Sequence, residues 1–288
     1  MLHSSWKIWI QAARPKTLTA GVAPVLMGSA MAYDAGHFYV YTFIATLFAT
    51  LMIQIGTNYA NDYYDHVKGA DTEKRQGPVR ATQAGLVTPA AMRNAFVITF
   101  FLAIVAGLYL VYIGGLPIII IGLVSVACGI LYTADPVALG YLGLGDLFVL
   151  VFFGPVAVGG TYYLQTGQIS FPVILAGLAP GLISTALLAI NNIRDYSTDK
   201  AANKKTIVVR LGIAVGIAEY YLCIIIACLI PIFLSFYMQS NYYSNLAILT
   251  VLFAAGPMKR LYTRPDSDVM NRLLAQTGRL VLIYSLLF

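Results

Sequence analysis

Long apolar stretches separated by short polar segments dominate the pattern along the chain. A stretch of about 17 to 25 apolar residues is long enough to cross a bilayer as a helix. Nine stretches reach or approach this length, so the pattern predicts an all-α, polytopic membrane protein with about nine transmembrane helices. The predicted spans are 18–34, 39–60, 92–113, 115–133, 146–164, 171–191, 211–236, 243–258 and 272–288.

The composition agrees with a membrane location. Hydrophobic residues make up 59% of the 288 residues and charged residues 10%, against roughly 45–50% and 25% in soluble domains. The mean hydropathy is +0.77. Residues 1–18 are amphipathic and basic and lack a small-residue cleavage site, which predicts a surface helix rather than a signal peptide.

The positions of the basic residues predict the topology. If the N-terminus is cytoplasmic and the chain crosses nine times, all 18 Lys and Arg residues fall on the cytoplasmic side, and the opposite loops carry none. This is the positive-inside pattern, and it favours a cytoplasmic N-terminus. We expect the cell inner (cytoplasmic) membrane of a bacterium as the location, with a plastid membrane as the alternative. The net charge of +6 is then explained by orientation, so we expect no nucleic-acid partner.

Two polar stripes stand at the predicted cytoplasmic ends of the second and sixth helices. Helical spacing places the members of each stripe on one face. The first stripe is Asn58, Asn61, Asp62 and Asp65, and the second is Asn191, Asp195 and Asp199. Asn191 and Asp195 of the second stripe have the same spacing as Asn61 and Asp65 of the first stripe, at an offset of 130 residues. This predicts one domain, 1–288, of two pseudo-repeated four-helix units, 12–133 and 146–258, plus a ninth helix.

The acids at these helix ends indicate a bound cation. Like charges a few ångströms apart repel strongly near a low-dielectric region, and a hard divalent cation relieves that repulsion. Oxygen donors without histidine or cysteine favour Mg²⁺, which often shares its coordination with substrate phosphates. The candidate ligands are Asn58, Asn61, Asp62, Asp65, Asp71, Asn191, Asp195 and Asp199. The candidate phosphate contacts are Lys68, Lys74, Arg75, Arg80, Arg194, Lys204, Lys205 and Arg210.

The motifs "NDYYDHVKGAD" and "NNIRDYSTD" resemble the two aspartate-rich motifs of the UbiA superfamily of intramembrane prenyltransferases. The flanking stretches "DTEKRQGPVRATQAGLVTP" and "ARPKTL" are similar to its menaquinone-pathway branch. One departure from the commonest pattern is that Gly69 occupies the position of the third aspartate, with Asp71 two residues later.

The resemblance implies a fold and a reaction. Family members have a central cavity open to the cytoplasmic side and bind a polyprenyl diphosphate through Mg²⁺ held by both motifs. It implies Asp62, Asp65, Asp195 and Asp199 as the main metal carriers and, with Asn191, as the catalytic residues. In the branch, the prenyl group passes to 1,4-dihydroxy-2-naphthoate, diphosphate and CO₂ leave, and demethylmenaquinone forms. Arg14 and Lys16 are candidates for holding the acceptor's carboxylate.

Other functions are open alternatives at this point. Within the family, the acceptor can be 4-hydroxybenzoate or homogentisate, and the donor can carry a phytyl chain. Outside enzymology, a secondary transporter also shows internal repeats, although its charges are expected near midspan rather than at helix ends. Ordinary solvated loops, whose acids and bases pair with one another, are the simplest alternative to a metal and phosphate site.

Overall fold

The computed structural model describes residues 5–69, 77, 79–239, 242–263 and 265–288. These described residues form helices and connecting turns, with no strand among them. The predicted ligand Asp71 and the predicted phosphate contacts Lys74 and Arg75 lie outside the described residues.

A helical segment accounts for each of the nine predicted spans within the described chain. The first half contains α1 (Ser5–Ala12), α2 (Pro15–Asp34), α3 (Val40–Val67), α4 (Pro89–Gly114) and α5 (Leu116–Leu131). The second half contains α6 (Gly145–Val151), α7 (Ala157–Thr166), α8 (Phe171–Arg194), α9 (Tyr196–Ala201), α10 (Ile207–Leu211), α11 (Ile213–Met238), α12 (Thr250–Tyr262) and α13 (Ser267–Leu287). The prediction of an all-α fold with about nine long helices is confirmed.

Five helical segments of the described chain are long and apolar enough to cross a membrane. They are Val40–Val67, Pro89–Gly114, Gly145–Thr166, Phe171–Arg194 and Ile213–Met238. Large apolar side chains on α4 and α5, such as Tyr112 and Leu123, are exposed on the protein surface. A soluble protein does not expose so much apolar surface, so the chain is an integral membrane protein.

The fifth span is not one regular helix. A π-helical turn, Phe152–Val156, joins α6 to α7, because Pro155 has no backbone N–H and Gly154 adopts a non-helical conformation. Gly154 also packs directly on α8: a Cβ atom there would lie 2.7 Å from the carbonyl oxygen of Gly177. Small residues therefore let the broken helix approach α8 closely.

The polar motifs continue the membrane helices beyond their predicted ends. Helix α3 runs to Val67 and α8 runs to Arg194, whereas the apolar pattern predicts ends near residues 60 and 191. Asp62, Asp65, Asp195 and Asp199 therefore stand on or immediately beside regular helical turns, which fixes the directions of their side chains.

The helices pack as a ring around a cavity. Helix α3 packs on α4 and α5, α8 packs on α11 and α13, and α2 joins the two sets through contacts with α13, α7 and α3. The largest buried cluster includes Ile183 of α8, Tyr220 of α11 and Leu273 of α13. The division into two pseudo-repeated units, 12–133 and 146–258, stays a prediction.

Candidate active site

A cavity of about 930 Å³ lies inside the ring of helices. Apolar side chains of α4, α5 and the α6–α7 segment line most of it, including Ile118, Ile121, Phe148 and Phe152. Polar side chains gather at the end where α3 and α8 finish: Arg14, Asn58, Asn61, Asp65, Arg80, Tyr132, Thr133, Tyr141, Asn191, Asp195, Thr198, Asp199 and Lys204. The two predicted stripes therefore meet at the polar end of one chamber.

In the first motif, Asp65 is the carboxylate on the cavity wall. Arg80 donates to one of its oxygens through Nη2 at 2.8 Å, and the hydroxyl of Tyr141 donates to the other at 3.0 Å. Asn61 also lines the cavity and accepts a hydrogen bond from the Thr133 hydroxyl. Asp65 is thus held in one orientation by groups from two different loops.

Asp62 has a different environment from its neighbours in the motif. It is 2% exposed and lies outside the described wall of the cavity. Its two carboxylate oxygens accept hydrogen bonds from the backbone N–H groups of Ala81 and Thr82, both at 3.0 Å. Asp62 therefore fixes the segment that carries Arg80, and its assignment as a metal ligand stays a prediction.

In the second motif, Arg194 forms a bidentate ion pair with Asp195. Its Nε and Nη2 atoms donate to the two carboxylate oxygens at 2.8 and 2.7 Å. Nη2 also donates to Asn191, and Nη1 donates to Asn271 of α13. Asp195 and Asn191 line the cavity, while Arg194 stands behind them. Arg194 therefore orients the motif from behind the described wall, and its predicted phosphate contact stays a prediction.

Asp199 and Lys204 complete the polar end. A left-handed turn at Asn203 returns the chain after α9, and the backbone N–H of Lys204 donates to the carbonyl of Asp199. The ammonium group of Lys204 then lies 3.5 Å from the Asp199 carboxylate. Lys204 is one of the residues predicted for phosphate contact; it lines the cavity, and its contact with phosphate stays a prediction.

A bridging loop, residues 132–144, connects α5 to α6 and passes over the polar end. Lys68 forms an ion pair with Asp135 of this loop at 2.8 Å. The backbone N–H of Lys205 donates to the carbonyl of Tyr141, and Arg210 donates to the carbonyl of Leu142. Lys68, Lys205 and Arg210 lie outside the described cavity wall; they hold the bridging loop, and their predicted phosphate contacts stay predictions.

Arg14 enters the cavity from the junction of α1 and α2. Side chains of α3 hold this junction: Gln54 and Asn58 donate to the carbonyls of Thr17 and Ala13, and the Tyr59 hydroxyl donates to that of Trp9. These bonds offset the strain of Arg14, which has a φ of 55°. Of the two predicted carboxylate contacts, Arg14 lines the cavity and Lys16 lies outside its described wall.

The polar end offers a magnesium ion suitable donors. Within the described residues, no three acidic, histidine or cysteine side chains converge closely enough to form a metal site by themselves. The donors at the polar end are nevertheless carboxylate and amide oxygens from Asn61, Asp65, Asn191, Asp195 and Asp199. This set fits Mg²⁺, which binds proteins through a few carboxylates and completes its coordination with water and phosphate oxygens.

The fold and the site together define a membrane-embedded enzyme with a chamber for an apolar chain and a charged end for an anionic group. The chain belongs to the UbiA prenyltransferase family, which matches residues 21–283.

Named relatives agree over almost the full length. The chain is 34% identical to the 1,4-dihydroxy-2-naphthoate octaprenyltransferase of Haemophilus influenzae, with 100% of this chain and 96% of the relative covered. It is 35% identical to the enzyme of the same name from Escherichia coli, with 99% and 94% covered. A solved UbiA homologue from Archaeoglobus fulgidus, bound to DMAPP and Mg²⁺, superposes with a TM-score of 0.63 at 13% identity and covers 96% of this chain and 99% of that one. At that identity the structural match supports the fold alone.

Proposed function

We propose that the chain transfers a polyprenyl group from a polyprenyl diphosphate to 1,4-dihydroxy-2-naphthoate, releasing diphosphate and CO₂ and forming the prenylated quinol, demethylmenaquinol, which is the reduced form of demethylmenaquinone. The observation that carries this proposal is the continuity of one apolar chamber with a charged end built from both aspartate motifs. The full-length similarity to two octaprenyltransferases that act on this naphthoate supports the choice of acceptor.

The chamber is long enough for an isoprenoid tail. Its lining on α3 runs from Thr46 to Asp65. The 19 helical steps between these residues span roughly 29 Å at the helical rise of about 1.5 Å per residue. With the diphosphate at Asp65, the tail lies along α3 between Ile118, Phe148 and Phe152. Burial of the tail against these side chains supplies binding energy that the diphosphate contacts alone do not.

Charged groups at the polar end of the cavity determine where the diphosphate binds. Asn61, Asp65, Asn191, Asp195 and Asp199 would hold Mg²⁺, which when bound neutralises negative charge on the diphosphate oxygens. The homologue from Archaeoglobus fulgidus has Mg²⁺ and a prenyl diphosphate bound together, which supports this part of the proposal. Two cationic side chains on the cavity wall also contribute directly: Arg80 and Lys204 can donate hydrogen bonds to phosphate oxygens that Mg²⁺ would not reach.

These contacts favour cleavage of the allylic carbon–oxygen bond. The bonding electron pair leaves with the diphosphate, whose growing charge Arg80 and Lys204 stabilise. The apolar chamber excludes water from the allylic cation, so the electron-rich ring carbon of the naphthoate attacks it instead. After the new carbon–carbon bond forms, the bond to the carboxyl carbon breaks, its electron pair returns to the ring, and CO₂ leaves.

Arg14 is the residue that we assign to the acceptor's carboxylate. It is fixed at the cavity wall by the α3 hydrogen bonds to its neighbours, and its guanidinium can bind a carboxylate through two parallel hydrogen bonds. A pre-placed arginine selects an acidic aromatic acceptor and sets the ring's orientation, because both partners of a bidentate pair are planar.

We also propose that the enzyme lies in the cytoplasmic membrane with its N-terminus and polar end on the cytoplasmic side. The distribution of all 18 Lys and Arg residues supports this orientation.

The test is a prenylation assay with purified protein in detergent. A labelled polyprenyl or phytyl diphosphate is supplied with Mg²⁺ or EDTA and with the naphthoate, 4-hydroxybenzoate or homogentisate. We expect Mg²⁺-dependent product from the naphthoate and the polyprenyl donor, lost in Asp65→Asn and Asp195→Asn. Asp268→Asn, which changes an exposed acid at the start of α13, is the matched control. Product with another acid alone, or with the phytyl donor alone, would overturn the assignment of acceptor or donor.

A further inference from the structure

Tyr141 of the bridging loop contacts both halves of the polar end. Its hydroxyl donates to Asp65 of the first motif at 3.0 Å. The ammonium group of Lys68 lies over its ring at 4.5 Å from the centroid, and that of Lys204 lies over the ring at 5.7 Å. Its carbonyl accepts a hydrogen bond from the backbone N–H of Lys205.

The ring and the hydroxyl of Tyr141 have separable effects. The ring attracts both ammonium groups through its quadrupole. This attraction adds to the ion pairs that Lys68 forms with Asp135 and Lys204 forms with Asp199. The hydroxyl occupies one oxygen of Asp65 while Arg80 occupies the other, so the rotation of that carboxylate is restricted. A carboxylate and two lysines from distant parts of the chain are thereby given fixed positions at one side chain.

We propose that Tyr141 is a positioning residue for the diphosphate donor: its ring places Lys204 at the cavity wall for the phosphate oxygens, and its hydroxyl orients Asp65 toward Mg²⁺. Lys68, which is paired with Asp135, anchors the ring from outside the described cavity wall. The inference rests on the proposed function, since it assumes that a diphosphate occupies the polar end. Tyr141 lines the cavity, yet it belongs to neither aspartate motif, so the motif patterns give no indication of this role.

Two substitutions separate the two parts of the side chain. Tyr141→Phe keeps the ring and removes the hydroxyl, whereas Tyr141→Leu removes both. Tyr221→Phe is the matched control, because it deletes a tyrosine hydroxyl that donates to the carbonyl of Met258 at 2.7 Å, outside the described cavity wall. Each variant is tested for binding of inorganic pyrophosphate with Mg²⁺ by calorimetry and for the KM of donor and acceptor in the assay.

For Tyr141→Phe we expect a rise of about tenfold in the Mg²⁺ concentration needed for half-maximal pyrophosphate binding, because the Asp65 carboxylate loses one of its two hydrogen-bond donors. The donor KM should change by less than about threefold. For Tyr141→Leu we expect the donor KM and the pyrophosphate Kd to rise about tenfold, since two cation–π contacts are lost as well, with the acceptor KM unchanged.

Three results would overturn the proposal. The first is that Tyr141→Phe and Tyr141→Leu both bind pyrophosphate as the parent does. The second is that the KM values of donor and acceptor rise together in Tyr141→Leu. The third is that Tyr221→Phe reproduces the effects. Failure of the proposed function has a different signature, because the parent itself would then prenylate none of the three aromatic acids while the calorimetric comparison still reports on Tyr141.

Discussion

Replacing Asp62 with asparagine separates a structural aspartate from a metal-binding one within a single motif. The substitution preserves the shape of the side chain but leaves it only one acceptor oxygen. In the native protein both oxygens are used, one by the N–H of Ala81 and the other by that of Thr82, in a site that is 2% exposed. One backbone N–H group must therefore face the new NH₂ group, which is also a donor.

The magnitude follows from the bonds that are lost. A hydrogen bond to a charged group contributes about 1.5–3 kcal/mol, and a buried donor left without a partner costs about 1–3 kcal/mol. Because these two terms overlap, we expect a loss of about 3 kcal/mol. At about 2–4 °C per kcal/mol for domains of 150–250 residues, the unfolding midpoint should fall by about 6–12 °C.

The assay compares Asp62→Asn with Asp65→Asn in thermal unfolding and in calorimetric binding of Mg²⁺ and pyrophosphate well below the unfolding midpoint. We expect Asp62→Asn to lose stability and to keep its affinity within about threefold. Asp65→Asn should lose more than about tenfold in affinity, because its carboxylate faces the cavity. If Asp62→Asn has the same unfolding midpoint as the parent but fails to bind pyrophosphate, Asp62 is a metal ligand and its role as an anchor of the Ala81–Thr82 segment is wrong.

Three further predictions follow from other contacts. Arg14→Gln should raise the KM for 1,4-dihydroxy-2-naphthoate at least about tenfold, since a hydrogen bond to a charged group contributes about 1.5–3 kcal/mol. The KM for 1,4-dihydroxynaphthalene, which has no carboxylate, should not change. Equal effects on both acceptors would contradict a carboxylate contact. Arg194→Lys should destabilise the protein by about 3 kcal/mol or more, because lysine cannot keep the bidentate pair and the bond to α13 together; exposed Arg272→Lys on α13 is the control in thermal unfolding. Gly28→Ala should lower the free energy of unfolding by about 1–3 kcal/mol, since its Cβ would lie 2.6 Å from a backbone oxygen of α7. In Gly107→Ala the added Cβ meets open space, so this control should unfold at the same temperature as the parent.

The polar stripe of α3 shows where sequence reasoning stops. At 3.6 residues per turn, consecutive residues are about 100° apart around the helix, so Asn61 and Asp62 stand at opposite edges of a stripe that the pattern treats as one face. The fold turns the Asn61 edge and Asp65 toward the cavity, and it turns Asp62 toward the segment at Ala81. Either edge could have faced the chamber, and only the packing of α3 against α4 and α5 decides between them.

Sequence alone determined the all-helical membrane fold, the approximate ends of the nine spans and the two motifs that meet at the site. These properties are local: a bilayer requires about 20 apolar residues in each spanning helix, and helical periodicity groups side chains three and four apart. The tertiary structure decided which members of each motif reach the chamber. It also brought Tyr141, Lys204 and Arg14 to the same end of the chamber, because contacts between residues far apart in the chain depend on how the loops and helices pack, and no local pattern encodes that.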